Sequence, residues 1–337
     1  MYRFLVFCLT ATLLVGVSVP APVLAQEGRL RELIRERIQE RRSARQEGQG
    51  QTAATARNGL QTVALTHDGR ARSYLIAPET VAQGRPVVLV FHGGEGDGTR
   101  AALASGIVDD ARAQGFAVAF PNSPGQQWND GRETTRSGID DVGFTRAVIA
   151  DLGARYGLNT QRVYVAGISN GGMFVQRLAC DAPDLVDAVA VVAAVMPAAL
   201  SQSCAARQAK PMIFFNGTAD RLMPFEGGEI ASSRLLGIGV GGRVLSQAQT
   251  RSFWTARNAC GTGNVGAPVD RVTDQTTAQL TRYRCAGQAD LLFYVLEGGG
   301  HNWPGSSVGG ASRLSGTVSR EVDATATIIE FFKRYGL

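Results

Sequence analysis

Continuous apolar runs alternate with stretches of helical periodicity along most of the chain. The runs have the character of strands that are buried on both faces of a parallel sheet. The predicted strands are RPVVLVFHGG, AVAFP, RVYVAG, AVAVVAAV, PMIFFNG and DLLFYVLEGG. The predicted helices are RAALASGIVDDARAQGF, DDVGFTRAVIADLGARYG, GGMFVQRLAC and DATATIIEFFKRYG.

This alternation predicts an α/β fold with a mostly parallel central sheet, right-handed crossovers and flanking helices. Two further predicted strands, LQTVAL and ARSYLIA, come first and flank the turn THDGR. No internal repeat is apparent, and nothing downstream resembles a second domain. We therefore expect residues 59–337 to form one domain.

The first 57 residues have a different character. Residues 1–25 contain one arginine, an apolar run and a small-residue end at Ala25, which predicts a cleaved signal peptide. An uncleaved membrane anchor is the alternative, but two prolines break the run and it is short for a spanning helix. We expect an exported protein, extracellular or periplasmic, without a membrane span after signal cleavage.

Residues 26–57 combine an Arg- and Glu-rich helical pattern with a polar linker. The pattern favours a solvated tether with Glu–Arg pairs. A basic surface helix that touches an anionic envelope component is the alternative.

The composition narrows the class of partner. With 337 residues, of which 44% are hydrophobic and 19% charged, the chain can bury one large core. Much of the basic character behind the net charge of +5 comes from arginines scattered singly along the chain. We therefore expect no nucleic-acid partner.

Four cysteines follow the predicted cleavage site. An even number in an exported chain predicts two disulfides, and pairing neighbours in sequence gives Cys180 with Cys204 and Cys260 with Cys285. Because the spacing has no CxxC or HxxxH element, a zinc site is a poor alternative, and we expect no metal.

One short motif carries candidate chemistry. Residues 167–171 read GISNG, a G-x-S-x-G motif between a predicted strand and a predicted helix. The motif alone is common, but this placement is typical of a nucleophile elbow. The glycines leave room for a strained turn that lifts the hydroxyl of Ser169 above the sheet.

A serine nucleophile needs a base, and the chain has three histidines. His67 lies in a predicted turn and His92 ends a predicted strand, which leaves His301 directly after the last predicted strand. The orienting acid comes between serine and histidine, and Asp220 follows a buried strand by a short loop of small residues. Weaker candidates in the same interval are Asp181, Asp184, Asp187, Asp270, Asp274 and Asp290.

Backbone amides would complete such a site by stabilising the negative oxygen of a tetrahedral intermediate. In this arrangement one amide belongs to the residue after the nucleophile, here Asn170. The other belongs to a loop after an earlier strand, where Gly93 or Gly94 follows His92.

Longer motifs run through nearly the whole chain from Gly59 onward. They are FHGG (91–94), WNDGR (128–132), DDVGF (140–144), AGISNGG (166–172), NGTADRLMPFEGG (216–228), FWTARNAC (253–260) and EGGGHNWPG (297–305). In this order they resemble the polyhydroxybutyrate depolymerase and feruloyl/acetylxylan esterase family of α/β-hydrolases, especially its short secreted esterases of the LpqC type.

The resemblance implies the α/β-hydrolase fold and a serine esterase, with Ser169 as nucleophile, Asp220 as orienting acid and His301 as base. Such an enzyme needs no metal or organic cofactor. Its partner is an ester substrate: a polyhydroxybutyrate-type polyester or oligomer, or alternatively a feruloyl or acetylxylan ester of plant polysaccharide. A peptidase is an enzymatic rival, and a non-catalytic exported protein that binds a glycan or polymer is a rival of another class.

The resemblance also implies that Trp128, Trp303 and their neighbours lie near the substrate cleft, and we include His92 among the expected substrate-binding residues. From the residues alone, a core position for the two tryptophans is equally compatible with the sequence.

Overall fold

The computed structural model describes residues 59–135, 138–205, 208–230, 240–308 and 315–336. The chain divides into two units, Met1–Thr52 and Ala53–Leu337, and every described residue belongs to the second. The predicted signal peptide and tether lie outside the described residues, so their boundaries stay predictions.

The described residues form twelve strands and seven α-helices. The strands are β1 (Gln61–His67), β2 (Arg70–Ile76), β3 (Pro86–Phe91), β4 (Ala117–Asn122), β5 (Asn159–Ile168), β6 (Ala188–Val192), β7 (Met212–Gly217), β8 (Gly228–Glu229), β9 (Arg243–Val244), β10 (Asn264–Val265), β11 (Thr277–Arg284) and β12 (Asp290–Glu297). The helices are α1 (Gly98–Ser105), α2 (Ile107–Ala113), α3 (Asp141–Tyr156), α4 (Asn170–Asp181), α5 (Ala198–Ser203), α6 (Gln247–Arg257) and α7 (Ala324–Lys333).

Ten strands make one mixed sheet in the order β1-β2-β4-β3-β5-β6-β7-β12-β11-β10. Neighbouring strands are parallel from β4 across to β12 and antiparallel at both edges. The predicted class, an α/β fold with a mostly parallel centre, is confirmed. The carboxyl ends of the parallel strands therefore meet along one edge, where such folds bind ligands.

The central strands are buried on both faces because helices cover both sides of the sheet. Every residue of β3 is buried, and its side chains alternate between two cores. Val87, Leu89 and Phe91 join the core under α3 and α4, whereas Val88 and Val90 join the core under α1, α2 and α7. This two-sided burial explains why the strand is a continuous apolar run.

One predicted helix is two helices in the structure. Residues 100–116 are predicted as a single helical stretch, but Gly106 adopts a left-handed conformation with φ of 58° between α1 and α2. Its amide donates to Ala102 O at 2.9 Å and closes α1. A glycine tolerates this conformation without steric cost, so the chain changes direction there.

Some elements have no counterpart among the predicted ones. Strand β11 pairs with β12 in an antiparallel register and reads TAQLTRYR, in which the polar residues hide the strand pattern. Helices α5 and α6 are likewise absent from the predicted elements. Helix α6 begins at a capping box formed by Ser246 and Gln249, a local signal that a search for apolar runs overlooks.

Both expected cysteine pairs form disulfides in the structure. Cys180 at the end of α4 joins Cys204, which follows α5, and Cys260 after α6 joins Cys285, which follows β11. Each bridge closes a short loop, with sequence separations of 24 and 25 residues. The bridges therefore tie helices that cover the sheet to neighbouring segments.

We predict that breaking the disulfides destabilises the fold. In the chain-entropy picture, closing a loop of this length contributes about 3 kcal/mol to the free energy of unfolding. Urea unfolding followed by circular dichroism, with and without dithiothreitol, should give a lower midpoint under reducing conditions. The double variant Cys180→Ala/Cys204→Ala retains one bridge, so reduction should lower its midpoint by less than it lowers that of the parent. Identical midpoints in all samples would contradict the prediction.

Candidate active site

Ser169 stands at the turn between β5 and α4, in a backbone conformation that few residues adopt. Its φ is 57° and its ψ is −122°, and its side chain does not cap the helix. Its amide donates to Val192 O at 2.9 Å, which anchors the turn to β6. Strain of this kind persists only where surrounding structure enforces it, and it is frequent at functional sites.

The glycines around Ser169 are required by close backbone contacts. A Cβ on Gly167 would overlap the backbone of Gly171. A Cβ on Gly171 would overlap the carbonyl groups of Phe91 and His92 at the end of β3. The G-x-S-x-G spacing therefore lets β5, α4 and β3 approach one another with only hydrogen atoms between them.

Asp220 and His301 are brought together from neighbouring parallel strands. Asp220 follows β7 and His301 follows β12, and Nδ1 of His301 lies 2.7 Å from Oδ2 of Asp220. The other carboxylate oxygen accepts the amides of Leu222 at 2.9 Å and Met223 at 2.7 Å. The side chain of Asp220 is only 3% exposed, so its two oxygens are held firmly in one orientation.

Hydrogen bonds from backbone amides also join the two loops that carry this pair. The amide of Ala219 donates to Gly299 O at 2.9 Å, and the amide of Gly298 donates to Oγ1 of Thr218 at 3.0 Å. The His301 amide donates to Ser315 O at 2.6 Å. The imidazole is therefore fixed through its main chain as well as through Asp220.

Ser169 lies at the same edge of the sheet as this pair, since β5, β6, β7 and β12 are consecutive and parallel. The serine is partly exposed. Within the described residues its hydroxyl makes no hydrogen bond, and neither does Nε2 of His301. The structure thus joins the predicted acid and base directly and places the predicted nucleophile on the same edge.

Two of the three expected amide donors, Asn170 and Gly93, are neighbours of Ser169. An ideal Cβ on Gly93 would lie 3.3 Å from Cβ of Ser169, so this glycine packs directly against the serine. A Cβ on Gly94 would instead meet the side-chain amide of Gln127. Asn170 is the first residue of α4, where backbone amides have no partner within the helix. Of the two glycines left open by the sequence, Gly93 is the one in contact with the serine.

The three side chains expected to bind substrate are buried instead. Trp128 is fully buried, and His92 and Trp303 are 1% and 2% exposed. Trp128 stacks on Phe174, and the indole of Trp303 donates to Oγ1 of Thr325 at 2.9 Å. In this structure these side chains belong to the core, so their role in substrate binding stays a prediction; aromatic size and motif position do not distinguish a core wall from a cleft wall.

His92 is held at both ring nitrogens. Nδ1 lies 2.7 Å from Gly93 O, and Nε2 accepts the Ser123 amide at 3.2 Å. Burial lowers the pKa of His92, although the bond to Gly93 opposes this shift. A neutral His92 that donates through Nδ1 and accepts through Nε2 fits both contacts.

An ion pair inside the WNDGR motif supports the turn after Ser169. Asp130 and Arg132 are almost fully buried, with 2.8 Å between the carboxylate and the guanidinium. Asp130 also accepts the side-chain amide of Asn170 at 2.6 Å. The residue types of this motif alone do not predict its contact with Asn170, the residue after the expected nucleophile.

No group of three or more His, Cys, Asp or Glu side chains suited to a metal ion occurs in the described part of the chain. None of the described helices is long and apolar enough to cross a membrane.

Comparisons with known proteins agree with this geometry. A family model described as the alpha/beta hydrolase fold matches residues 86–224. A protein of Nocardia uniformis subsp. tsuyamanensis named "Putative esterase NocK" is 30% identical over 78% of this chain and 79% of its own length. The chain belongs to the α/β-hydrolase fold family. The relatives it resembles are named esterases, and this α/β-hydrolase is a carboxylic ester hydrolase.

Other relatives are covered over a smaller share of their own length, and the solved structure shows similarity of fold alone. Feruloyl esterase B of Piromyces equi is 25% identical over 64% of this hydrolase and 39% of its own length. Acetylxylan esterase A of Talaromyces purpureogenus is 27% identical over 36% of this chain and 33% of its own. The solved acetyl xylan esterase from Aspergillus awamori superposes with a TM-score of 0.53 at 16% identity, covering 80% of this chain and 99% of that one.

We predict that Gly171→Ala lowers the free energy of unfolding by about 1–3 kcal/mol, the usual cost of overpacking. The added methyl group would overlap two carbonyl groups at the end of β3. Urea unfolding of the purified variant measures the loss.

Gly261→Ala is the matched control, because the nearest atom to a Cβ there is Arg284 O at 3.8 Å. Its free energy of unfolding should stay within about 0.5 kcal/mol of the parent. Equal stability of the two variants would mean that the close contact around Gly171 is not as described.

Proposed function

We propose that this hydrolase is a serine esterase in which Ser169 is the nucleophile, His301 the general base and Asp220 the orienting acid. The observation that carries the proposal is the 2.7 Å contact between Nδ1 of His301 and Asp220, at the sheet edge where the strained turn presents Ser169. An aspartate at Nδ1 fixes the tautomer that leaves Nε2 free to accept a proton.

In the first step, the Ser169 oxygen attacks the ester carbonyl carbon while its proton passes to Nε2 of His301. The carbonyl oxygen becomes an oxyanion. When the tetrahedral intermediate collapses, the bond to the alkoxy oxygen breaks and His301 returns the proton to the leaving alcohol. Water then attacks the acyl-enzyme by the same route, which releases the acid and restores the serine.

The oxyanion is stabilised by the backbone amides of Asn170 and Gly93. Both are neighbours of Ser169: Asn170 follows it in sequence, and a Cβ added to Gly93 would lie 3.3 Å from Cβ of Ser169. The amino end of α4 also adds a partial positive charge there. Donors fixed before the reaction stabilise the charge without further reorganisation.

For the substrate, we propose an ester carried by plant polysaccharide, either a feruloyl or an acetyl ester of xylan. The names of the relatives from Piromyces equi and Talaromyces purpureogenus support this class. A polyhydroxybutyrate-type polyester or oligomer is the substrate we expect first from the sequence. None of the relatives described above is named for that activity, so we place it second.

We also propose that the enzyme acts outside the cytosol, in a periplasm or in the medium. Two disulfides, Cys180–Cys204 and Cys260–Cys285, support an oxidising compartment. The signal-peptide pattern of residues 1–25 supports export.

Ser169→Ala should lower kcat for p-nitrophenyl acetate by several orders of magnitude, because no other group supplies the nucleophile. Asp220→Asn should lower it by about 10⁴, because the imidazole would lose its orienting carboxylate. Ser203→Ala removes an exposed hydroxyl at the end of α5 and serves as the control with parental activity. If Ser169→Ala kept the parental rate, the assigned nucleophile would be wrong.

The substrate class can be decided in one mixture of methyl ferulate, acetylated xylo-oligosaccharide and 3-hydroxybutyrate oligomers, with products identified by mass spectrometry. We expect ferulate or acetate to be released by the parent enzyme and not by Ser169→Ala. Release of 3-hydroxybutyrate alone would reverse the order of the two substrate classes. No product from any ester would instead favour a non-catalytic binding protein.

A further inference from the structure

We propose that Trp128 is a positioning residue that fixes both amides of the oxyanion hole at once. Its side chain holds the peptide unit that carries the Gly93 amide, and its main chain holds Asn170. The inference rests on the proposed function, since it assigns these two amides to the oxyanion.

The side chain of Trp128 acts on the Gly93 amide. The indole Nε1–H donates to His92 O at 3.0 Å. That carbonyl and the Gly93 N–H belong to one planar peptide unit and point in opposite directions. Fixing the carbonyl therefore fixes the direction of the amide on the other side, next to Ser169.

The main chain of Trp128 acts on Asn170. Its amide donates to Oδ1 of Asn170 at 2.7 Å, and its carbonyl accepts from Nδ2 of Asn170 at 3.0 Å. This pair of bonds clamps the asparagine side chain from both ends. Because Asn170 is the first residue of α4, the clamp also fixes the turn from which its backbone amide projects.

Packing keeps Trp128 itself in place. Its ring stacks on Phe174 with centroids 5.1 Å apart and meets Phe91 edge-on at 5.1 Å. Phe91 ends β3 and Phe174 belongs to α4, so the indole lies between the strand that leads into the Gly93 loop and the helix that begins at Asn170. The Asp130 carboxylate, paired with Arg132, is a second acceptor for Nδ2 of Asn170.

The hydrogen bond of the buried Trp128 indole has an expected effect on the reaction rate. A fully buried tryptophan needs a partner for its indole N–H, and here the partner is the peptide unit beside the nucleophile. Complete loss of one oxyanion donor lowers kcat by about 10²–10³. Loosening of the Gly93 peptide unit should therefore lower kcat by a smaller factor, about tenfold, with little change in KM.

Trp128→Phe tests the proposal, because phenylalanine keeps an aromatic ring and removes the N–H donor. The matched control is Trp254→Phe. Trp254 is equally buried, and its indole donates to Oε1 of Gln176 in α4 at 3.0 Å rather than to the peptide unit beside Ser169. Steady-state kinetics with p-nitrophenyl acetate and inhibition by an aryl trifluoromethyl ketone, which forms an oxyanion on the serine, are measured for both.

We expect Trp128→Phe to lose about tenfold in kcat at unchanged KM, and to bind the trifluoromethyl ketone more weakly by the same factor. Trp254→Phe should match the parent in both measurements. Equal kinetics for the two variants, or a rise in KM at unchanged kcat, would overturn the proposal.

If Trp128→Phe does not fold, a second replacement tests the same proposal. Incorporation of 3-benzothienylalanine at position 128 keeps the size of the indole and replaces only its N–H by sulfur. The same loss in kcat and ketone affinity supports the proposal, and parental values overturn it. The proposed function fails separately, through parental activity in Ser169→Ala, so the two failures are distinguishable.

Discussion

The candidate site depends on one close contact, between the carboxyl end of β3 and the start of α4. Gly171 faces the carbonyl groups of Phe91 and His92 with no room for a side chain. This contact brings Gly93 against Ser169 and forces the serine into a conformation with φ of 57°. A single methyl group at Gly171 would separate the elements on which the proposed nucleophile and both proposed amides depend.

The candidate site also requires that three residues far apart in sequence come together, and the topology of the sheet achieves this. Ser169, Asp220 and His301 are far apart in sequence, but each follows a strand of the parallel centre, and the carboxyl ends of these strands share one edge. Because β7 and β12 are adjacent, short loops after them are enough to bring Asp220 and His301 into contact. Hydrogen bonds between the two loops, one to Gly299 O and one to the Thr218 hydroxyl, restrict their motion further.

Much of this arrangement is predictable from the sequence because its signals are local. The apolar runs indicate the central strands, and G-x-S-x-G between strand and helix indicates the turn at Ser169. With only three histidines in the chain, elimination leads to His301. The position of these residues at one sheet edge follows from the strand order.

Other features depend on packing between segments that are distant in sequence, and local sequence patterns do not predict such packing. Trp128 lies in a recognisable motif, yet only the structure reveals that its ring is buried between β3 and α4 rather than open to a cleft. The break at Gly106 looks like helix continuation because the flanking residues keep a helical pattern. The polar residues of β11 conceal a strand that exists through its pairing with β12.

Covalent labelling with a fluorophosphonate tests the central claim most directly, because the probe reacts with an activated serine and the labelled peptide can be sequenced by mass spectrometry. We predict one adduct per chain, on Ser169, at a rate that falls sharply in His301→Ala. Labelling of a different serine, or no adduct on folded protein, would contradict the assignment of Ser169 and His301 as nucleophile and base.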